Sequence, residues 1–270
     1  MKILKYLCLG LVLGGIATIS ACDKNGDLLL FSIDNDLQLG AQVDEQIEND
    51  PAFTILDPND YPEAYEYLND MRDQILNSGE ITYREEFVWE LHIIDDDVLN
   101  AFATPGGYIY VYTGLIKYLN EADDLAGVLG HEIAHSDQRH SSKQLQRQYG
   151  IQLLLSIALG EDASQLEQVV GSLAGTGALL AFGRDAESEA DEYSVQYLAQ
   201  TDYACDGAAT FFERLIMDDQ TPGIPEFLST HPDPEDRVDD IHAKADELGC
   251  DTSPISETGF TYQDFKNSLP

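Results

Sequence analysis

The sequence predicts an α+β fold that is mostly helical, with a small antiparallel sheet near its middle. Three observations carry this. Tyr61, Tyr65, Leu68, Met71 and Ile75 recur at helical spacing. The period then changes: Phe87, Trp89, Leu91 and Ile93 alternate with Val88, Glu90, His92 and Ile94, as in a strand. From Gly114 onward helical patterning returns and dominates. The 270 residues, 43% of them hydrophobic, are enough to bury a core, so the acidity does not signal disorder. Lys and Arg number 14 against 50 Asp and Glu, a formal charge of −36. That excludes sequence-independent nucleic-acid binding, which rests on basic side chains neutralising phosphates. Four Cys cannot build a disulfide scaffold.

In chain order, Lys2 and Lys5 form a positive start, and the stretch from Leu7 to Ile19 is apolar and uncharged. It is too short for a stable membrane span and reads as a signal segment over residues 1–21. The sequence Ile19-Ser20-Ala21-Cys22 resembles the lipobox of bacterial lipoproteins. The resemblance implies cleavage before Cys22, lipidation of Cys22, and a membrane attachment through that lipid. The segment takes two lysines and no acid with it, so the charge moves from −36 to −38. Cys8 leaves too, and Cys205 and Cys250 remain as one pair in an oxidising compartment. Their expected disulfide closes a loop worth about 4 kcal/mol in chain entropy.

Residues 22–36 read as a lipidated tether, 37–250 as the folded domain and 251–270 as a loosely held polar tail. Leu37, Leu39, Val43 and Ile47 suggest a short helix. The two strands, about 87–94 and 108–112, flank Val98–Ala103 and the turn Thr104-Pro105-Gly106-Gly107. Asn120 with Asp123 suggests a capping box, opening a helix that runs into the Lys143 region. Residues 151–182 read as one or two apolar helices on the core. Helices are expected over about Arg184–Ala199 and Gly207–Met217. Asp233, Pro234 and Asp236 start a last one that reaches about Leu248.

His131-Glu132-Ile133-Ala134-His135 carries the chemistry. Positions four apart share a helix face, so His131 and His135 can present two imidazoles to one metal ion. Glu132 is then placed to take a proton from metal-bound water, whose pKa zinc lowers to about 7. A catalytic zinc needs a third protein ligand. A third His six residues on is absent, since Gln138 and Ser141 stand where that pattern wants Gly and His. His140 reads as a surface residue, as do His92 and His242. The segment Glu187-Ser188-Glu189-Ala190-Asp191 can supply a carboxylate. Spacing leaves Glu187 and Glu189 as rivals, with Glu187 ahead because Asp191 shares its face. Ala186 and Ala190 are small enough for close helix approach.

These two segments, in this order, resemble metallopeptidase family M48, a gluzincin family. Two more landmarks are similar to it: Asn100-Ala101-Phe102-Ala103-Thr104-Pro105-Gly106-Gly107, and Ser229-Thr230-His231-Pro232 with Arg237. The four span about residues 100–237. The resemblance implies a zincin-like fold with His131, His135 and Glu187 holding one Zn2+ per chain. It implies that Glu132 is the general base. Asp191 would be a proton donor, or a partner that fixes a zinc-bound imidazole; the second suits the chemistry of metal-bound His. His231 would stabilise the oxyanion or sit on the metal at rest, and Arg237 would pair with a nearby acid.

Asn100, Ala101, Phe102 and Ala103 would form an edge strand that binds an extended peptide by backbone pairing. Gly106 and Gly107 suit a tight turn and close approach. No further run of eighteen apolar residues follows the signal segment, which points to the compact lipoprotein form of the family. The resemblance implies an endopeptidase of unfolded or misassembled envelope polypeptides, on the periplasmic face of the outer membrane. The acid excess predicts a bias toward cationic peptides that fades with salt.

Overall fold

The computed structural model describes residues 29–176, 181–217, 231 and 234–270. The signal segment, Cys22, the tether up to residue 28, and Ser229, Thr230, Pro232 and Asp233 lie outside the described residues. Helix α1 (Ile33–Asn49) starts before the expected boundary, because Ser32 caps it reciprocally with Asn35. It buries Leu39, Val43 and Ile47. Helix α2 (Pro62–Leu76) opens on proline and buries Leu68, Met71 and Ile75. The Tyr65 hydroxyl donates to Leu56 O at 2.7 Å and accepts from the Ile93 N–H at 3.1 Å, tying α2 to the sheet.

The sheet has three strands, β1 (Glu90–Ile94), β2 (Ala101–Thr104) and β3 (Tyr108–Tyr112), in the order β1-β3-β2. Strands β2 and β3 form an antiparallel hairpin, but β1 runs parallel to β3 with Leu91 beside Ile109. The sheet is therefore mixed and not wholly antiparallel. After β1 the chain crosses to the far edge before returning as β3, so β1 and β3 point the same way. Gly107 has φ +94° at the hairpin turn, and a Cβ there would lie 2.9 Å from Trp89 N. The turn and the close approach are both real.

Helix α3 (Thr113–Tyr118) leads into α4 (Ala122–Asp137), which carries both motif histidines. Asp124, not Asp123, accepts the N–H groups of Asn120 and Glu121, so the cap sits one residue later than expected. The expected single helix to about residue 143 is two. Arg139 takes a left-handed conformation (φ 58°, ψ 33°), and α5 (His140–Tyr149) starts afresh. Arg139 is held there by Asp36 and Phe31 O, each at 2.5 Å.

Helices α6 (Ile151–Ala158) and α7 (Ala163–Thr176) pack on α1, burying Leu154, Ile157, Val169 and Val170. Helices α8 (Arg184–Leu198) and α9 (Gly207–Met217) pack on α4. A Cβ on Gly127 would stand 2.1 Å from Ala208 N, so only glycine lets α4 and α9 approach this closely. Helix α10 (Pro234–Leu248) lies on α8 and α9. Cys205 and Cys250 are joined by a disulfide.

Three expectations are corrected. The tail is not loose: α11 (Tyr262–Ser268) buries Tyr262 and Phe265 in the core, and the Tyr262 hydroxyl donates to Ile116 O at 2.7 Å. His92 is buried, stacked on Tyr110 at 5.1 Å and 2.9 Å from an Asp44 carboxylate oxygen. His140 is buried as well, because the break at Arg139 turns it back toward α4. His242 keeps a side chain 41% exposed. No described helix is long and apolar enough to cross a membrane.

Candidate metal centre

Helix α4 turns His131 and His135 to one side, with Nε2 atoms 2.9 Å apart. Helix α8 crosses against it, seated where Ser194 donates to Gly127 O at 3.0 Å. Glu187, in the first turn of α8, faces both imidazoles: its oxygens lie 3.6 Å from His131 Nε2 and 3.5 Å from His135 Nε2. His231 closes the group, with Nδ1 3.2 Å from Glu187 and Nε2 3.5 Å from Glu132. One ligand atom from each of His131, His135, Glu187 and His231 falls within 4.8 Å of the others, and all four residues are buried.

The donor set fits a cation. Two imidazoles and a carboxylate leave a further position for water or substrate, the pattern of a catalytic divalent metal. Glu187 Oε1 and Glu132 Oε2 are buried and make no hydrogen bond among the described residues. Buried carboxylate oxygens without a partner are costly unless something positive meets them.

The sequence model of Peptidase family M48 matches residues 62–245, which include every one of these side chains. The chain belongs to peptidase family M48. Relatives include the mitochondrial metalloendopeptidase OMA1 of Schizosaccharomyces pombe, 34% identical over 154 residues, 56% of this chain and 44% of that protein. The beta-barrel assembly-enhancing protease of Escherichia coli K12 is 26% identical over 234 residues, 81% of this chain and 45% of its own. A putative protease of the same name in Vibrio cholerae is 30% identical over 197 residues, 68% and 40%. The chain thus spans less than half the length of these relatives. The mostly helical fold, small sheet and helix bearing both imidazoles are those expected of an M48 domain.

Around the candidate ligands lies a second layer of polar groups. Asp191, one turn after Glu187, stands 2.8 Å from His131 Nδ1. Arg237 on α10 forks onto Asp191 at 2.6 and 2.7 Å and reaches Glu187 at 2.7 Å, with its guanidinium over the Phe212 ring. His140 Nδ1 lies 2.9 Å from His135 Nδ1, and His140 Nε2 lies 3.1 Å from Glu189. Phe182 stacks on His135 at 4.0 Å.

These contacts set the electrostatics. Burial raises the Glu132 carboxyl above its ordinary value, and the nearby histidines only partly offset it. Burial also works against the charged forms of Glu187 and Asp191, yet His231 and Arg237 around the first, and Arg237 around the second, hold both below the usual carboxylate range. Burial would lower His131, but bonds to Asp191 and Glu187 outweigh it and hold it at about 9. Burial and the neighbouring His131 push His135 well down.

The site gathers Glu132, His131, His135, Glu187, Asp191, His231 and Arg237. Phe182 has no counterpart in the sequence analysis, His140 is expected there at the surface, and Glu189 only as a rival ligand. Glu189 is no rival to Glu187: it contacts the site through His140. Asn100, Ala101, Phe102 and Ala103 are buried at the β2 edge, next to α4. The Tyr112 N–H bonds to Asn100 O, so Ala101 and Ala103 turn their backbone groups outward. The outward Ala103 carbonyl is already taken by the Ser141 hydroxyl at 2.7 Å.

Proposed function

We propose that the chain is a zinc-dependent endopeptidase that cleaves unfolded or misassembled polypeptides of the bacterial envelope. His131, His135 and Glu187 would hold one Zn2+, which would supply Lewis acidity and make a water acidic enough to ionise near neutral pH. The observation that carries the reading is the convergence of four buried candidate ligand side chains beside a buried Glu132, one carboxylate oxygen of which makes no hydrogen bond among the described residues. Glu132 accepts the proton of the attacking water and delivers it to the leaving amine. Asp191 accepts from His131 Nδ1 and fixes that ring for the metal. His231 stands on the open side, where it can stabilise the developing oxyanion. Asn100–Ala103 hold the substrate as an added strand, and a peptide there competes with Ser141 for the Ala103 carbonyl. The buried Asn100 Oδ1, without a partner among the described residues, is available to a substrate N–H.

Cys22 carries the lipid that anchors the chain to the membrane, with the domain on the periplasmic face of the outer membrane. Both beta-barrel assembly-enhancing relatives support an envelope setting by name. A second reading has one specific observation in its favour: His231 lies within the ligand group. There it would latch the metal, and the groove would hold clients without cutting. Chain starting after Cys22, assayed on unfolded casein and fluorogenic peptides with and without chelator, separates the two. Chelator-sensitive cleavage by the wild type supports the endopeptidase. Cleavage only in His231→Ala indicates the latch, and none in either indicates a binder.

A further inference from the structure

We infer that Glu189 and His140 form a two-step relay that orients His135 for the metal, making both of them positioning residues. This rests on the metal-centre reading above. His135 Nε2 faces the ligand group, 2.9 Å from His131 Nε2 and 3.5 Å from Glu187. With Nε2 given to the metal, the proton of the neutral imidazole must sit on Nδ1. At 2.9 Å from that Nδ1 stands His140 Nδ1. Two ring nitrogens at this distance share one hydrogen, so His140 Nδ1 accepts. His140 therefore carries its own proton on Nε2, which points to Glu189 Oε2 at 3.1 Å. Each proton is assigned by the one before it, and the order ends on a carboxylate.

The two metal-facing imidazoles are thus held by different devices. His131 donates directly to a carboxylate, Asp191. From its Nδ1, His135 reaches a carboxylate through a second imidazole. Both end on α8, from Asp191 and Glu189, so one helix sets the ring of each histidine on α4. On an unbroken helix, a residue five positions after His135 would lie about 140° around the axis. The left-handed Arg139 removes that offset. Phe182 holds the face of His135 while the relay holds its edge.

The role is read from metal binding, since loss of a carboxylate partner behind a metal-bound His typically weakens the metal about 10–100-fold. Zn2+ affinity by chelator competition and the Co2+ absorption spectrum are measured on full-length protein, beside urea unfolding of the metal-free chain. His140→Ala should weaken Zn2+ by about 10–100-fold and alter the Co2+ bands. His140→Asn, whose amide oxygen replaces the Nδ1 acceptor, should recover most of that loss. Glu189→Ala should weaken Zn2+ in the same direction, by a smaller factor. A merely structural His140 would move unfolding and leave affinity and spectrum in place. Wild-type affinity in His140→Ala, or equal losses in the Ala and Asn variants, overturns the relay alone. A wild type that binds no metal removes the metal-centre reading and the relay together.

Discussion

Arg237→Met tests the buried charge network behind the site. Arg237 is 5% exposed, and Asp191 and Glu187 are 2% and 1% exposed. Its guanidinium makes two bonds to Asp191 and one contact to Glu187, all between 2.6 and 2.7 Å. Methionine fills the space over Phe212 but leaves two carboxylates buried without their guanidinium, with His131 as the remaining charged neighbour. Breaking a buried pair by removing one partner costs about 3–5 kcal/mol, a large share of the roughly 5–15 kcal/mol that holds a domain together. In urea, with a slope of about 2.5 kcal/mol/M, the midpoint of the metal-free chain should fall by roughly 1–2 M. Added Zn2+ should return part of this, because a divalent cation would meet the Glu187 carboxylate. Arg237→Lys should lie between, since one ammonium cannot fork onto Asp191 and also reach Glu187. A midpoint for Arg237→Met within ~0.3 M of the wild type would refute the reasoning.

Other outcomes follow from the same structure. The disulfide closes a 45-residue separation that contains both His231 and Arg237. Cys205→Ala with Cys250→Ala should lower stability by about 4 kcal/mol in equilibrium unfolding, and a reductant should mimic it. The Thr261 N–H bond to Asp264 depresses that carboxyl, so its contribution to the α11 cap is present above the unfolded pKa and lost as pH falls through the lower folded value. Amide exchange at the start of α11 should therefore accelerate only below about pH 4. Cationic peptides should be cleaved faster than acidic ones at low salt, with the difference shrinking toward 0.5 M; a salt-independent preference would sink that claim.

Local rules reach some of this architecture and not the rest. His131, His135 and Glu132 stand out because a helix puts positions four apart on one face, and Glu187 with Asp191 repeats that spacing on a second helix. His140 could not be placed the same way. Its position depends on the left-handed Arg139, and that conformation is held by Asp36 and Phe31 O, about a hundred residues earlier. No pattern around residue 139 announces it. The parallel pairing of β1 with β3 is equally non-local, because alternation shows that a strand exists but not its neighbour. His92 lies on the sheet edge beside a Tyr110 ring that only the register brings there. The tail reads as polar because only a few of its residues, Tyr262, Phe265 and Leu269, enter the core. Glu187 and Glu189 looked like competitors for one role, and the helix packing gives each its own.

The most direct test is Glu132→Gln. The substitution removes the proton acceptor and leaves His131, His135 and Glu187 in place. Elemental analysis should find about one zinc per chain in both proteins, as for a three-ligand catalytic site. Terminal-peptide comparison of envelope proteins, and casein cleavage by the purified chain, should show new termini with the wild type and none with the variant. A variant that holds zinc and cleaves as fast as the wild type would contradict the account.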